Sequence, residues 1–262
     1  MKASTPPQAG QSPLLGMASF RLPHSNCNAI ISAMEIDASQ RLDELPIFPL
    51  ATVLFPGALL PLHIFEPRYK EMVSFAIDHG GMFGLSYRDD AAIGRETIPE
   101  IDSVGCVAKI NAVMPLEEGK MNLISRGVIR YRVLGFRQVS PFVVSTVETF
   151  TDDLEPGEDL ARLFVEVVEL CKDFLSTAAR ALDEPGIAEP SPLPGDPEAL
   201  SLLIASLLPL ENDSKQNMLE MRSTRLRLSR LRPHITAFLT DYKRQIRMKE
   251  LSKGNGHGKL DQ

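Results

Sequence analysis

The sequence predicts an α+β fold: a curled, mainly antiparallel sheet with one helix packed on it, followed by a C-terminal helical bundle. Three observations carry this expectation. Apolar segments between residues 45 and 65 are cut by Pro46, Pro49, Pro56 and Pro61, and each proline removes a backbone donor and clashes with the preceding turn, which excludes helix. Segments between residues 82 and 150 alternate apolar and polar positions, the period of half-buried strands. From Leu160 onward the apolar period lengthens to that of a helix, about 3.6 residues.

Composition narrows the class of protein. The chain has 262 residues, 44% hydrophobic and 24% charged, enough for one large domain or two small ones. A net charge of −6 argues against nucleic acid as the general partner, because phosphate binding needs cations. The exception is local: between Arg222 and Lys253 ten Lys and Arg face only Asp241 and Glu250. Cys27, Cys106 and Cys171 are widely spaced and form no CxxC pair, so buried thiols in a reducing cytoplasm are expected rather than a metal site or disulfide. No secretory signal is evident near Met1, and the run Leu202–Leu210, broken by Pro209, is about half the roughly 20 residues a membrane span requires.

Each element then follows from local signals. Residues 1–40 form a polar, proline-containing extension expected to be disordered, in which Met1, Met17 and Met34 are all candidate starts. Pro56-Gly57 fits the centre of a type II turn between extended segments. Pro67 fits a first helical residue, Tyr69, Met72, Val73, Ala76 and Ile77 form one buried stripe, and Gly80-Gly81 ends the helix. Strands are predicted over 82–87, 104–114, 121–136 and 141–150, with Val104, Cys106, Ala108, Ile110 and Ala112 pointing inward. Glu117-Glu118-Gly119 is the hairpin turn, and Gly127 marks a bulge. The acidic stretch 151–159 reads as a linker between a β-rich part over 41–150 and a helical part over 151–250. Helices are expected from Leu160, over 198–208, from an Asp213/Ser214 cap and from Ser223-Thr224, where Pro233 should kink or divide the last one. A tail over 251–262 is expected to be disordered.

The stretch 45–73 resembles the opening of the Lon protease N-terminal, substrate-binding domain. The resemblance rests on Pro46, Pro49, Val53-Leu54-Phe55-Pro56-Gly57, Pro61-Leu62 and Ile64-Phe65-Glu66-Pro67-Arg68-Tyr69. Val104–Ala108, Arg126-Gly127 with Arg130–Val133, and Leu207–Leu210 are similar to later blocks of that family. The resemblance implies a PUA-like, partly closed β-barrel followed by a helical bundle, and a role in capturing unfolded or client polypeptides beside a protease or chaperone. It marks Pro49, Phe55, Pro56, Gly57, Pro61, Phe65, Glu66, Pro67, Arg68, Tyr69, Arg126 and Gly127 as structural and candidate binding positions.

No constellation in the sequence carries chemistry. Gly119-Lys120 and Gly258-Lys259 are followed by Met121 and Leu260, so neither forms the phosphate loop of an ATPase, and no GxSxG or HExxH occurs. No catalytic residue, cofactor or metal is expected. His63 has Glu66 as a potential acid–base partner but no nucleophile at suitable spacing, so an exposed ring is the stronger reading. Glu66 and Arg68 suit an ion pair at the strand-to-helix corner better than a peptide contact. Arg126, Arg130, Arg132 and Arg137, and likewise Arg222, Arg225, Arg227, Arg230 and Arg232, are expected to be solvated. The alternative function is an RNA- or anionic-surface-binding protein using that basic C-terminal helix.

Overall fold

The computed structural model describes residues 37–89, 98–155, 157–182 and 193–254. Its elements, in chain order, are β1 (Arg41–Leu50), β2 (Leu59–Ile64), α1 (Pro67–Asp78), β3 (Met82–Tyr87), β4 (Val104–Pro115), β5 (Met121–Gln138) and β6 (Val143–Phe150). Then come α2 (Glu158–Leu182), α3 (Pro197–Leu207), α4 (Asn212–Glu220) and α5 (Thr224–Gly254).

The strand order is β2-β5-β4-β3-β1-β6, with β5 also paired to β6. Five strands therefore close a circuit of hydrogen-bonded neighbours, and β2 stays outside it on the first half of β5. The sheet is mixed: β1 and β3 run parallel, because β2 and α1 supply the crossover that parallel neighbours need. Gly127 lies at a register shift, where Val107 faces Ile129 but Ala108 faces Gly127. There β5 passes from pairing with β2 to pairing with β6, as expected of a bulge.

Three clusters of apolar side chains hold the fold. Ile47, Val107, Ile129, Tyr131, Val133 and Val147 fill the strand circuit. The buried Tyr131 ring needs Gly84 and Gly105 beside it, since a Cβ there would stand 2.9 Å from the ring and 2.4 Å from its hydroxyl. On the other face, Met72, Val73 and Ala76 of α1 pack on Phe48, Phe83, Cys106, Ile110 and Leu123. Ile77 departs from the expected stripe: it is exposed, one step beyond the packed face. Ala112 also departs, because the register shifts between Ile110 and Ala112 and turns the rest of β4 over.

The third cluster joins Phe55 to Val167, Cys171, Phe174, Leu200, Leu228 and Ile235 of the helices. Helices α2 and α5 run parallel, since Glu166 meets Arg232, Asp173 meets Lys243 and Lys249 bonds the Ala181 carbonyl. Pro233 does not divide α5, which runs unbroken to Gly254, so residues 251–254 are helix rather than tail. The α4 start falls at Asn212, after Glu211, not at Asp213/Ser214. Residues 37–40 form a turn ahead of β1 that Ser39 and Gln40 tie to Thr149 of β6; the rest of the predicted extension lies outside the described residues.

Candidate functional site

The marked residues fall into two groups. The first is a turn locked onto a strand. Ala58 N–H donates to the Phe55 carbonyl at 3.1 Å across Pro56-Gly57, and Gly57 has φ +83°, the type II turn the sequence predicts. Gly57 N–H donates to Gly127 O, and Gly127 N–H to Ala58 O, both at 2.9 Å. Arg126 adds a bond from Nη1 to the Gly57 carbonyl at 3.3 Å.

The second group makes the corner between β2 and α1. Arg68 pairs with Glu66 at 3.0 Å and lies over the Tyr69 ring, 4.6 Å from its centroid, so the ion-pair reading describes the geometry. Tyr69 packs on Phe48 at 4.3 Å, and burial raises its phenol pKa. Pro49, Arg68 and Tyr69 meet around a cavity of about 40 Å³. Pro61 and Pro67 are exposed, and Phe65 projects with 56% of its surface exposed, 5.9 Å from the His63 ring.

Sequence reasoning placed two of the arginines wrongly, while Arg126, Arg137, Arg222, Arg225, Arg230 and Arg232 are exposed as expected. Arg130 and Arg227, expected to be solvated, are the largest fully buried side chains. Both converge on Asp152. Arg130 bonds Asp152 at 2.6 Å, Glu198 at 2.7 Å and the carbonyls of Leu219 and Met221, while lying over the Phe150 ring. Arg227 reaches both Asp152 oxygens, Ser201 and the Met221 carbonyl, and Thr224 donates its hydroxyl to Asp152 as well. Burial would raise the Asp152 pKa, but the bonds and charges of Arg227, Thr224 and Arg130 outweigh it and the pKa is lowered. The Glu198 pKa is raised by burial and by the Asp152 charge.

The supposed linker is therefore a tether. Beyond Asp152, Asp153 pairs with Arg222 at 2.7 Å, and Glu155 accepts from Ser223 Oγ and Arg225 N–H at the start of α5. Acidic groups placed there suit the positive end of the helix dipole. A buried arginine differs from a solvated one only by its distant partners, so nothing local in the sequence could have revealed this cluster.

His63 Nδ1 lies 2.7 Å from Asn122 Oδ1 on the exposed face. Burial pushes the Cys106 thiol up to about 12 and the Cys171 thiol up to about 11. Among the described residues no three His, Cys, Asp or Glu side chains gather to hold a metal. None of the described helices is long and apolar enough to cross a membrane.

The profile of the ATP-dependent protease La (Lon) substrate-binding domain matches residues 44–237, and the chain belongs to that family. Lon protease of Koribacter versatilis (strain Ellin345) is 26% identical over 211 residues, 76% of this chain and 24% of that protein. Lon protease 2 of Syntrophobacter fumaroxidans is 24% identical over 212 residues, 80% of this chain and 26% of that one. The chain thus spans about a quarter of the length of these relatives. The N-terminal domain of Mycobacterium avium complex Lon protease shares the fold with a TM-score of 0.56 at 19% identity, covering 74% of this chain and 98% of that one. A Lon N-terminal domain protein from Xanthomonas campestris does so with a TM-score of 0.51 at 24% identity, covering 72% and 97%.

Proposed function

We propose that this chain is a non-catalytic recognition module that binds unfolded or client polypeptides, acting as an adaptor beside a protease or chaperone. The observation that carries the reading is the family match: the matched unit is a substrate-binding domain, and the substrates of a protease are polypeptides. A PUA-like barrel, supported by the closed strand circuit, and a cytoplasmic setting belong to the same proposal.

The arrangement of charge supports polypeptide over nucleic acid. Within the basic C-terminal segment, Arg222, Arg227, Arg232, Lys243 and Arg244 each have an acidic partner. That leaves less free positive charge for phosphates than the sequence suggests.

Fluorescence anisotropy tests the reading, using a labelled, permanently unfolded client and a labelled RNA at about 50 and about 200 mM salt. Client binding that varies little with salt, with negligible RNA binding, is expected. Tight RNA binding that weakens by orders of magnitude over that range would replace the reading. The purified chain is also expected to hydrolyse neither ATP nor casein; turnover of either would show an active site.

A further inference from the structure

The first half of β5, with β2 and the second half of β4, makes a three-stranded wing beyond the strand circuit. Its register sets Leu59 opposite Arg126 and Arg126 opposite Lys109. Likewise Pro61, Ile124 and Ala112 stand in one row, and His63, Asn122 and Met114 in the next. Directly opposed residues share a face, so these rows form one surface. The reverse face, with Leu62, Ile64, Leu123 and Ile110, packs under α1.

The near face is only partly covered, with Ala112, Met114 and Ile124 half-buried. Leu59, Ala112, Met114 and Ile124 join none of the three apolar clusters among the described residues, and Leu59 is 46% exposed. The free edge of β2 is a poorer docking site than this face. Gly127 N–H bonds Ala58 O, so the two-residue alternation turns Leu60, Leu62 and Ile64 toward β5 and the backbone of Leu59, Pro61 and His63 outward. Pro61 has no N–H, so the edge lacks its central donor and resists addition of a further strand.

Charge indicates what covers the face. Lys109 and Arg126 stand directly opposite each other, an unfavourable like-charge pair. Arg126 bonds only the Gly57 carbonyl, and neither cation pairs with an acidic side chain among the described residues. A carboxylate arriving between Lys109 and Arg126 would relieve their repulsion.

Resting on the polypeptide-binding reading, we propose that this face seats an extended client segment. Its apolar side chains cover Leu59, Ile124 and Met114, and an acidic side chain lies between Lys109 and Arg126. The test uses labelled, C-terminally amidated, unstructured peptides of alternating apolar and polar residues with one internal Asp, Asn or Lys. A further Asn peptide carries a free C-terminal carboxylate. Anisotropy is measured on wild type, Lys109→Glu and Ile124→Asp, with melting curves confirming that each variant folds.

Wild type is expected to bind the Asp peptide about tenfold more tightly than the Asn peptide. Lys109→Glu should abolish that preference and favour the Lys peptide, and Ile124→Asp should weaken both Asp and Asn peptides. Equal binding of Asp and Asn peptides, a preference untouched by Lys109→Glu, or a preference for the free C-terminal carboxylate alone overturns the proposal. If Ile124→Asp does not fold, Lys109→Glu decides. An unfolded client protein separates the two readings. Binding it equally well to wild type and Lys109→Glu refutes this face but leaves the module reading standing, whereas no binding to wild type refutes both.

Discussion

Gly127 lies so close to Phe55 that a methyl group on its Cα would stand 2.2 Å from the Phe55 carbonyl oxygen and 2.9 Å from its carbon. Both atoms are backbone and cannot turn aside. Gly127→Ala must therefore lift the Phe55–Ala58 turn off β5 and break the two backbone bonds that hold it. Overpacking of this kind costs about 1–3 kcal/mol. A denaturant midpoint unchanged from wild type would disprove the close approach.

Gly57 is a different case. No atom lies within 4 Å of where its Cβ would be, so the demand there is conformational, set by φ +83°. Gly57→Val should cost about 1–3 kcal/mol, because a β-branched residue disfavours that region. Gly57→Asn should cost clearly less, since Asn enters the left-handed region more readily. Equal loss for Val and Asn in chemical denaturation would mean that crowding, not φ, governs the turn.

Asp152 should be among the least replaceable side chains. Asp152→Asn leaves Arg130 and Arg227 buried without their shared anion, a loss of about 3–5 kcal/mol at neutral pH. The pKa of Asp152 is lowered in the folded chain, so its contribution is complete above the unfolded carboxylate value and lost as pH falls through the folded one. The gap between wild type and Asp152→Asn should therefore shrink in acid. Glu198 has the opposite sign: its raised pKa makes it lose stability as pH rises from the unfolded value through the folded one. Melting temperatures of wild type, Asp152→Asn and Glu198→Gln across the acid range check both directions; a wild-type advantage over Asp152→Asn that grows in acid would contradict the assignment.

Cys106 and Cys171 should resist alkylation in the native protein, because burial raises their thiol pKa to about 12 and about 11 and so keeps them protonated at neutral pH. Peptide mapping should find label on either only after denaturant is added. Rapid native labelling of Cys106 would show that the packing of β4 against α1 opens readily.

What the sequence revealed is what short-range chemistry determines. Proline and glycine punctuate residues 45–81, and the turn at Gly57, the start of α1 at Pro67 and its end at Gly80-Gly81 follow from neighbouring residues alone. The bulge at Gly127 was legible for the same reason. The buried arginines were not, because Arg130 finds its carbonyl partners 89 and 91 residues away. The reversal of Ala112 was hidden by the neighbouring Asn111, an ordinary residue for either face. The candidate positions marked by resemblance and the proposed face of the wing share only Pro61 and Arg126, with Phe65 at its margin, since strand register decides which side chains stand together.

The parallel course of α2 and α5 has a consequence during synthesis. Their cross-helix contacts link residues 66, 70 and 68 positions apart, so no local hairpin can cover the apolar stripe of α2. At translation rates of roughly 5–20 residues per second, that stripe emerges about 3–14 s before its partner helix exists. Throughout that interval Val167, Phe174 and Leu175, which share one apolar cluster with Leu228, Leu231 and Ile235 in the finished fold, have yet to meet α5.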